Sequence, residues 1–314
     1  MSYSAESFEP LRQTIEQASK IVISSTVSKE EREEAEKIFI QFKESKSPYD
    51  FCYFLLQKSS DSHVLFQAVS TIQAAALREW PLLSTETILA LQTNLFDYVT
   101  ESRSIEQYVQ KQILQTVAVF YKRTKFDTFH SKHLGQQKNS QIDNTNLVTR
   151  SIELFSCSDL KKRQLMCSFL FAVINEFSNT NKSTKLGQST ESHFNAKRSF
   201  EQNEFKSILL FVFDTAKSLI DSLIQSNITN ICSVDKESKN LLIQIFNLID
   251  QSFTWEFTSS RHVLKNLIGF TNQSAIKSLE PTPEFRDFFL NPQLVQLLFR
   301  CYQLVRDDPD TAHF

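Results

Sequence analysis

Glycine is nearly missing from this chain. Of 314 residues only Gly135, Gly187 and Gly269 are glycine, about 1% against an average usage of roughly 7%. A nucleotide-binding α/β fold needs glycine-rich strand-to-helix turns, and three isolated glycines assemble neither G-x-G-x-x-G nor G-x-x-x-x-G-K. The nucleophile elbow of serine hydrolases fails for the same reason. An excess of one charge is also missing: 34 basic against 36 acidic side chains give a formal charge of −2, which offers no case for general nucleic-acid binding. Cys52, Cys157, Cys167, Cys232 and Cys301 are odd in number and form no C-x-x-C pair, so reduced thiols in the cytosol or nucleus are expected. The longest apolar runs, such as Ile208 to Phe213, are far too short to span a bilayer. Glu6, Glu9, Arg12, Glu16 and Lys20 exclude a signal-peptide core from the first 25 residues. The chain reads as soluble and intracellular.

Phenylalanine, by contrast, is abundant at 28 and sits within helical patterns, as core filler would. Residues 64–80 are the most informative stretch. Leu65, Val69, Ile72, Ala76 and Trp80 fall at helical spacing, and Phe66, Ala68, Ala75 and Leu77 widen that face until most of the circumference is apolar. Only Gln67, Thr71, Ala74 and Arg78 remain to face water. A helix so apolar must be covered on more than one side, so it belongs inside a stack of helices.

The rest of the chain is a succession of helices with polar breaks. Residues 8–23 form the first. Ser28 with Glu31 makes a capping box for a second over 29–44. Ser47-Pro48 reads as a cap and proline start for a third. Asp61 or Ser62 caps the fourth, which Pro81 ends. A fifth spans 85–101 and a sixth 104–123. Breaks are expected at 124–143 and 179–201. Further helices are expected near 144–156, 158–178, 202–226, 236–256, 260–270 and 291–306, with no alternating strand pattern anywhere. Trp80 and Lys122 end corresponding helices about 42 residues apart, inside the window for two-helix HEAT or armadillo repeats. The expected fold is all-α: a solenoid of HEAT-like helix pairs forming a right-handed superhelical arch, its inner helices lining one concave surface. The chain is expected to be one such segment over 1–314, with one set of repeats over about 1–123 and further pairs over about 144–314.

Enzyme chemistry finds no support. His130-Ser-Lys-His133 has H-x-x-H spacing, but no nearby cysteine or carboxylate pair completes a zinc site. Asp307-Asp308-Pro309-Asp310 reads as a solvated tail. No metal, cofactor or catalytic residue is expected. The polar stripes are the remaining signal: Gln67, Thr71 and Arg78 on the fourth helix, and Gln107, Lys111, Gln115 and Lys122 on the sixth. In a solenoid such stripes add up to a binding surface.

Three stretches carry a resemblance. The first is Ala35-Glu-Lys-Ile-Phe-Ile-Gln-Phe-Lys-Glu-Ser-Lys-Ser-Pro48. The second runs from Val64-Leu-Phe-Gln-Ala to Arg78-Glu-Trp80, then Tyr108-Val-x-x-Gln-Ile-Leu114 and Val117-Ala-Val-x-x-Lys-Arg123. The third joins Glu176-Phe-Ser178, Leu186-Gly-x-Ser189, Glu191-x-His193 and Lys197-Arg-x-Phe-Glu201. Together they resemble the N-terminal region of export receptors in the importin-β superfamily of nuclear transport receptors. That superfamily's chains are several times longer, so the resemblance implies a fragment or a short paralogue.

The resemblance implies a protein that catalyses nothing. It implies binding of Ran in its GTP state, and contact with nuclear pore proteins while shuttling between nucleus and cytoplasm. It also implies export of protein cargo, including a hypusine-bearing translation factor and transcription factors. Helical phase and the superfamily's mode of binding together assign Ran contact to Glu33, Gln67, Thr71, Arg78, Gln107, Lys111 and Gln115. The competing reading is a scaffold of the same fold that ignores Ran.

Overall fold

Side-chain caps fix where the helices begin. The computed structural model describes residues 5–101, 105–133, 147–178, 189–228, 230–258 and 281–308, among which every regular element is helical. The chain divides into two compact units, residues 1–120 and 121–314.

The first unit contains α1 (Ala5–Ile23), α2 (Lys29–Glu44), α3 (Tyr49–Lys58), α4 (Ser62–Glu79), α5 (Thr85–Glu101) and the first half of α6 (Gln107–His133). The capping box expected at α2 is complete: the Glu31 amide donates to Ser28 Oγ and the Ser28 amide to the Glu31 carboxylate. Asp61 caps α4 by accepting from the His63 and Val64 amides. Ser47 does not cap α3. It sits at φ 46°, a left-handed conformation uncommon outside glycine, with its amide and hydroxyl turned to the Glu79 carboxylate at 3.1 and 3.4 Å.

Contacts between helices set the stacking. Phe8 meets Phe51 at 5.3 Å, and Ser59 Oγ donates to Glu16 at 2.7 Å, so α1 and α3 run alongside one another 43 residues apart. The Tyr53 and Tyr98 hydroxyls donate to the Leu91 and Leu56 carbonyls, which places α3 beside α5. On the other layer Phe66 packs on Tyr108, Gln112 Nε2 donates to Gln73 Oε1 at 3.0 Å, and Trp80 packs on Phe120. All three contacts advance together, so α4 and α6 are parallel. The offset near 40 residues is the repeat that the sequence period predicts. Burial follows: Val64, Ala68, Val69, Ile72 and Ala75 of α4 are wholly covered. At about 1.5–3 kcal/mol for each large apolar side chain, this helix anchors the unit.

The second unit takes α6 onward from Tyr121, then α7 (Leu147–Phe155), α8 (Leu160–Ser178), α9 (Thr190–Phe200), α10 (Lys206–Gln225), α11 (Lys236–Phe253), α12 (Pro283–Phe289) and α13 (Pro292–Val305). Gln164 Nε2 donates to the Glu237 carbonyl, and Gln251 Nε2 to Ser178 Oγ, so α8 and α11 are parallel 73 residues apart. The repeat lengthens here because α9 is added. A π-helical stretch, Glu201–Phe205, joins α9 to α10 in one continuous helix.

Several expected boundaries change. α6 does not stop at 123: no proline or glycine interrupts 107–133, and the polar stretch 124–133 stays helical. Half of the expected 179–201 break is α9, started by the Ser189 hydroxyl accepting from the Ser192 amide. α12 was not expected, and the helix expected at 260–270 lies outside the described residues. Asn291 caps α13 as expected, with Pro292 at its first position. Asp308 is not solvated but buried, held by Lys239 Nζ at 2.8 Å.

Candidate partner-binding surface

On α4, the flank toward α6 carries Phe66, Gln73 and Trp80, and the opposite flank reaches α2 through Arg78. The strip left between them holds Gln67, Ser70 and Ala74, all partly exposed. Gln67 Nε2 lies 3.1 Å from His63 Nε2, whose other ring nitrogen lies 3.0 Å from Ser19 Oγ. Burial lowers the His63 pKa against the opposing pull of Asp61, so the ring is neutral at neutral pH and couples α1 to the strip.

Thr71 does not face water. Four residues beyond Gln67, it is turned about 40° further around the helix, toward the α2 flank, and its residual exposure is 1%. Arg78 is exposed but committed: its guanidinium donates to the Ser45 carbonyl at 2.7 Å, the Lys43 carbonyl at 3.3 Å and Glu79 at 3.2 Å. It closes the end of α2 and fixes the turn into α3. Glu79 completes the brace. Burial pushes its carboxyl up, but the Ser47 amide, the Tyr49 hydroxyl and Arg78 outweigh that and hold it below the ordinary value.

On α6, Gln107 and Lys111 are exposed and Gln115 is half-buried. They border the side that meets α4. Tyr108, 45% exposed against Phe66, joins them. Gln67, Gln107 and Lys111 therefore lie within about one turn of the Phe66–Tyr108 contact. Glu33 stands apart, exposed on α2 and 3.7 Å from Lys29, about 9 Å along the helix from the Phe39–His63 contact. The strip offers amides, a hydroxyl and one ammonium, which suits recognition of a polar protein face. Among the described residues no His, Cys, Asp or Glu group could hold a metal ion, and no helix is long and apolar enough to cross a membrane.

Lys122 belongs to no exposed stripe. It is buried in the second unit, donating to the Glu176 carbonyl at 2.8 Å and lying 3.7 Å from Glu176 Oε1. Glu176 and His193 of the third stretch of sequence lie beside it. His193, Lys197, Glu201 and Glu204 are all buried on α9 and the π-helical stretch. Glu201 accepts from the Trp255 indole at 2.9 Å, and from the Thr258 amide and hydroxyl at 2.9 and 2.6 Å. Lys197 Nζ sits 4.4 Å above the Trp255 ring, and Lys125 pairs with Glu204. Burial, reinforced by Lys122 and Lys197, pushes the His193 pKa down to about 3. Burial lowers Lys197 and raises Glu201 and Glu204. This network joins α6, α8, α9 and the segment after α11. Its signal in the sequence was charged residues recurring at core helical phase.

The family model described as Exportin-4 matches residues 9–313. Exportin-4 of Dictyostelium discoideum is 25% identical over 289 residues, which is 88% of this chain and 24% of that protein. The chain spans about a quarter of the length of this curated relative.

Proposed function

The chain belongs to the exportin-4 family, and from that membership we propose that it is the N-terminal part of a nuclear export receptor that binds Ran in its GTP state. The match over residues 9–313 is the observation that carries the reading. The binding face is the strip between α4 and α6, with Gln67, Gln107, Lys111, Gln115 and Tyr108 in contact, and Glu33 of α2 makes a separate contact apart from it. Thr71 supports this face from beneath, and Arg78 holds the neighbouring turn. Cargo is protein, including a hypusine-bearing translation factor and transcription factors, and it is gripped by this segment together with the rest of a longer receptor. Ran-GTP and cargo reinforce each other's binding, a coupling that is reciprocal by linkage. Nuclear pore proteins carry the complex between nucleus and cytoplasm. Ran supplies the nucleotide chemistry and this chain supplies none.

The test is charge reversal on the strip. Lys111→Glu should weaken capture of Ran-GTP by tenfold or more while the helical circular dichroism and melting stay unchanged, because Lys111 is exposed. Unchanged capture would remove the strip from the interface.

A further inference from the structure

The turn between α2 and α3 holds a serine in an unusual state. Ser47 is exposed, sits at φ 46°, and points its hydroxyl at Glu79 from 3.4 Å. Pro48 beside it is buried, so the dipeptide is anchored at one residue and open at the other. Few bonds hold the turn. Glu79 accepts from the Ser47 amide at 3.1 Å, the Tyr49 hydroxyl at 3.0 Å and Arg78 at 3.2 Å, while Arg78 also closes the Lys43 and Ser45 carbonyls. All but the tyrosine bond are exposed, where charge-assisted bonds contribute little net stability. A left-handed serine adds strain that opening the turn relieves. Ser47 and Pro48 therefore lie in a segment of low local stability.

We propose that Ser47 is a phosphorylation site for a proline-directed protein kinase, and that the phosphate opens the turn between α2 and α3. Ser47 and Thr282 are the two hydroxyl residues that precede a proline in the sequence. The Thr282 hydroxyl is buried, whereas that of Ser47 lies on an exposed turn. Proline suits such an enzyme because it brings no amide hydrogen that the pocket must satisfy. In the transfer, Ser47 Oγ attacks the γ-phosphorus of a nucleoside triphosphate. The Oγ–P bond forms as the bond to the β-phosphate oxygen breaks, the hydroxyl proton passes to the kinase's base, and the nucleoside diphosphate leaves. The new group carries about −1.5 to −2 charge at pH 7. It stands where the hydroxyl now meets Glu79, so two anions crowd one turn and repel. Arg78, with 43% of its side chain exposed, pairs with a phosphate in a two-pronged grip that no backbone carbonyl offers. It therefore leaves the Lys43 and Ser45 carbonyls, and the brace from α4 to the turn breaks.

The experiment treats the 314-residue chain with an active mitogen-activated protein kinase and ATP, maps phosphate by mass spectrometry, and follows amide exchange at 43–49. Ser47 should take up at least tenfold more phosphate than Thr282. Amides 43–49 should then exchange at least tenfold faster, with those of α5 unchanged. Ser47→Gly, which accepts the left-handed φ, should keep the parent's circular dichroism and take up no phosphate at this turn. Thr282→Val should leave uptake at Ser47 unaltered. In Glu79→Gln, where one of the two anions is gone, phosphorylation should accelerate exchange at least threefold less than in the parent. No phosphate on Ser47 overturns the proposal. So does a phosphorylated Ser47 with exchange at 43–49 unchanged or slowed. Ran is absent from the experiment, so its outcome is separate from the Ran-GTP reading.

Discussion

Lys122→Met probes the buried network most sharply. The substitution keeps an unbranched apolar stem where the lysine stem ran and removes the ammonium, leaving Glu176 buried with 0% exposure. At 3.7 Å from Glu176 Oε1, the attraction is about 4–5 kcal/mol at an effective dielectric near 20. Removing one partner of a buried pair costs about 3–5 kcal/mol, because the other charge stays desolvated. Set against a total stability of about 5–15 kcal/mol, the second unit should lose about a fifth of its stability or more.

Trp80 and Trp255 are the two tryptophans and fall in different units, so in a Trp80→Phe background Trp255 fluorescence reports the second unit alone. With a urea slope of about 2 kcal/mol per M, the midpoint should fall by roughly 1.5–2.5 M. Adding Glu176→Gln should recover at least about 2 kcal/mol, since the stranded carboxylate is gone. A single-substitution cost below about 1 kcal/mol, or strictly additive costs in the double variant, would refute the reasoning.

Two further outcomes follow from named contacts. The unfolded histidine titrates near 6.5, whereas His193 is held at about 3. Between those values the unfolded chain binds the proton and the folded chain does not, so stability is lost as pH falls from 6.5 toward 3. At pH 5 the loss is about 2 kcal/mol. Glu201 and Glu204, raised by burial, work in the opposite sense. The readout is therefore the difference between the parent and His193→Gln: from pH 7.5 to 5 the parent should lose about 2 kcal/mol more in urea unfolding, and parallel pH profiles would contradict the burial of a neutral ring. Arg78→Ala removes the donors to the Lys43 and Ser45 carbonyls. Because the guanidinium is exposed, the cost should be only about 1 kcal/mol, with amide exchange at 43–49 accelerated and that of α5 unchanged.

The sequence was most legible where one short rule decides the outcome. Ser28 with Glu31, Asp61, and Asn291 before Pro292 announced their helices through local hydrogen bonds. The α4–α6 stacking followed from apolar residues repeating about 40 apart. Ser47-Pro48 misled because the partner that claims the serine, Glu79, is 32 residues away. Thr71 and Lys122 misled for a related reason. Helical phase separates apolar from polar faces, but which edge of a polar stripe a neighbour covers depends on tertiary packing. The 179–201 region looked like a loop because His193, Lys197 and Glu201 are polar. The partners of Lys197 and Glu201, Trp255 and Thr258, come from the segment after α11, and such distant partners make the burial tolerable. For the binding strip, the sequence supplied candidates, and the structure sorted them into exposed residues and braces.

Titration of the 314-residue chain with Ran loaded either with GTP or with GDP tests the central claim most directly. The account predicts at least tenfold tighter binding of the GTP form, about 1.4 kcal/mol, with the difference diminished by Lys111→Glu. Equal affinities for the two forms, or no binding to either, would contradict it and leave a Ran-independent scaffold as the reading.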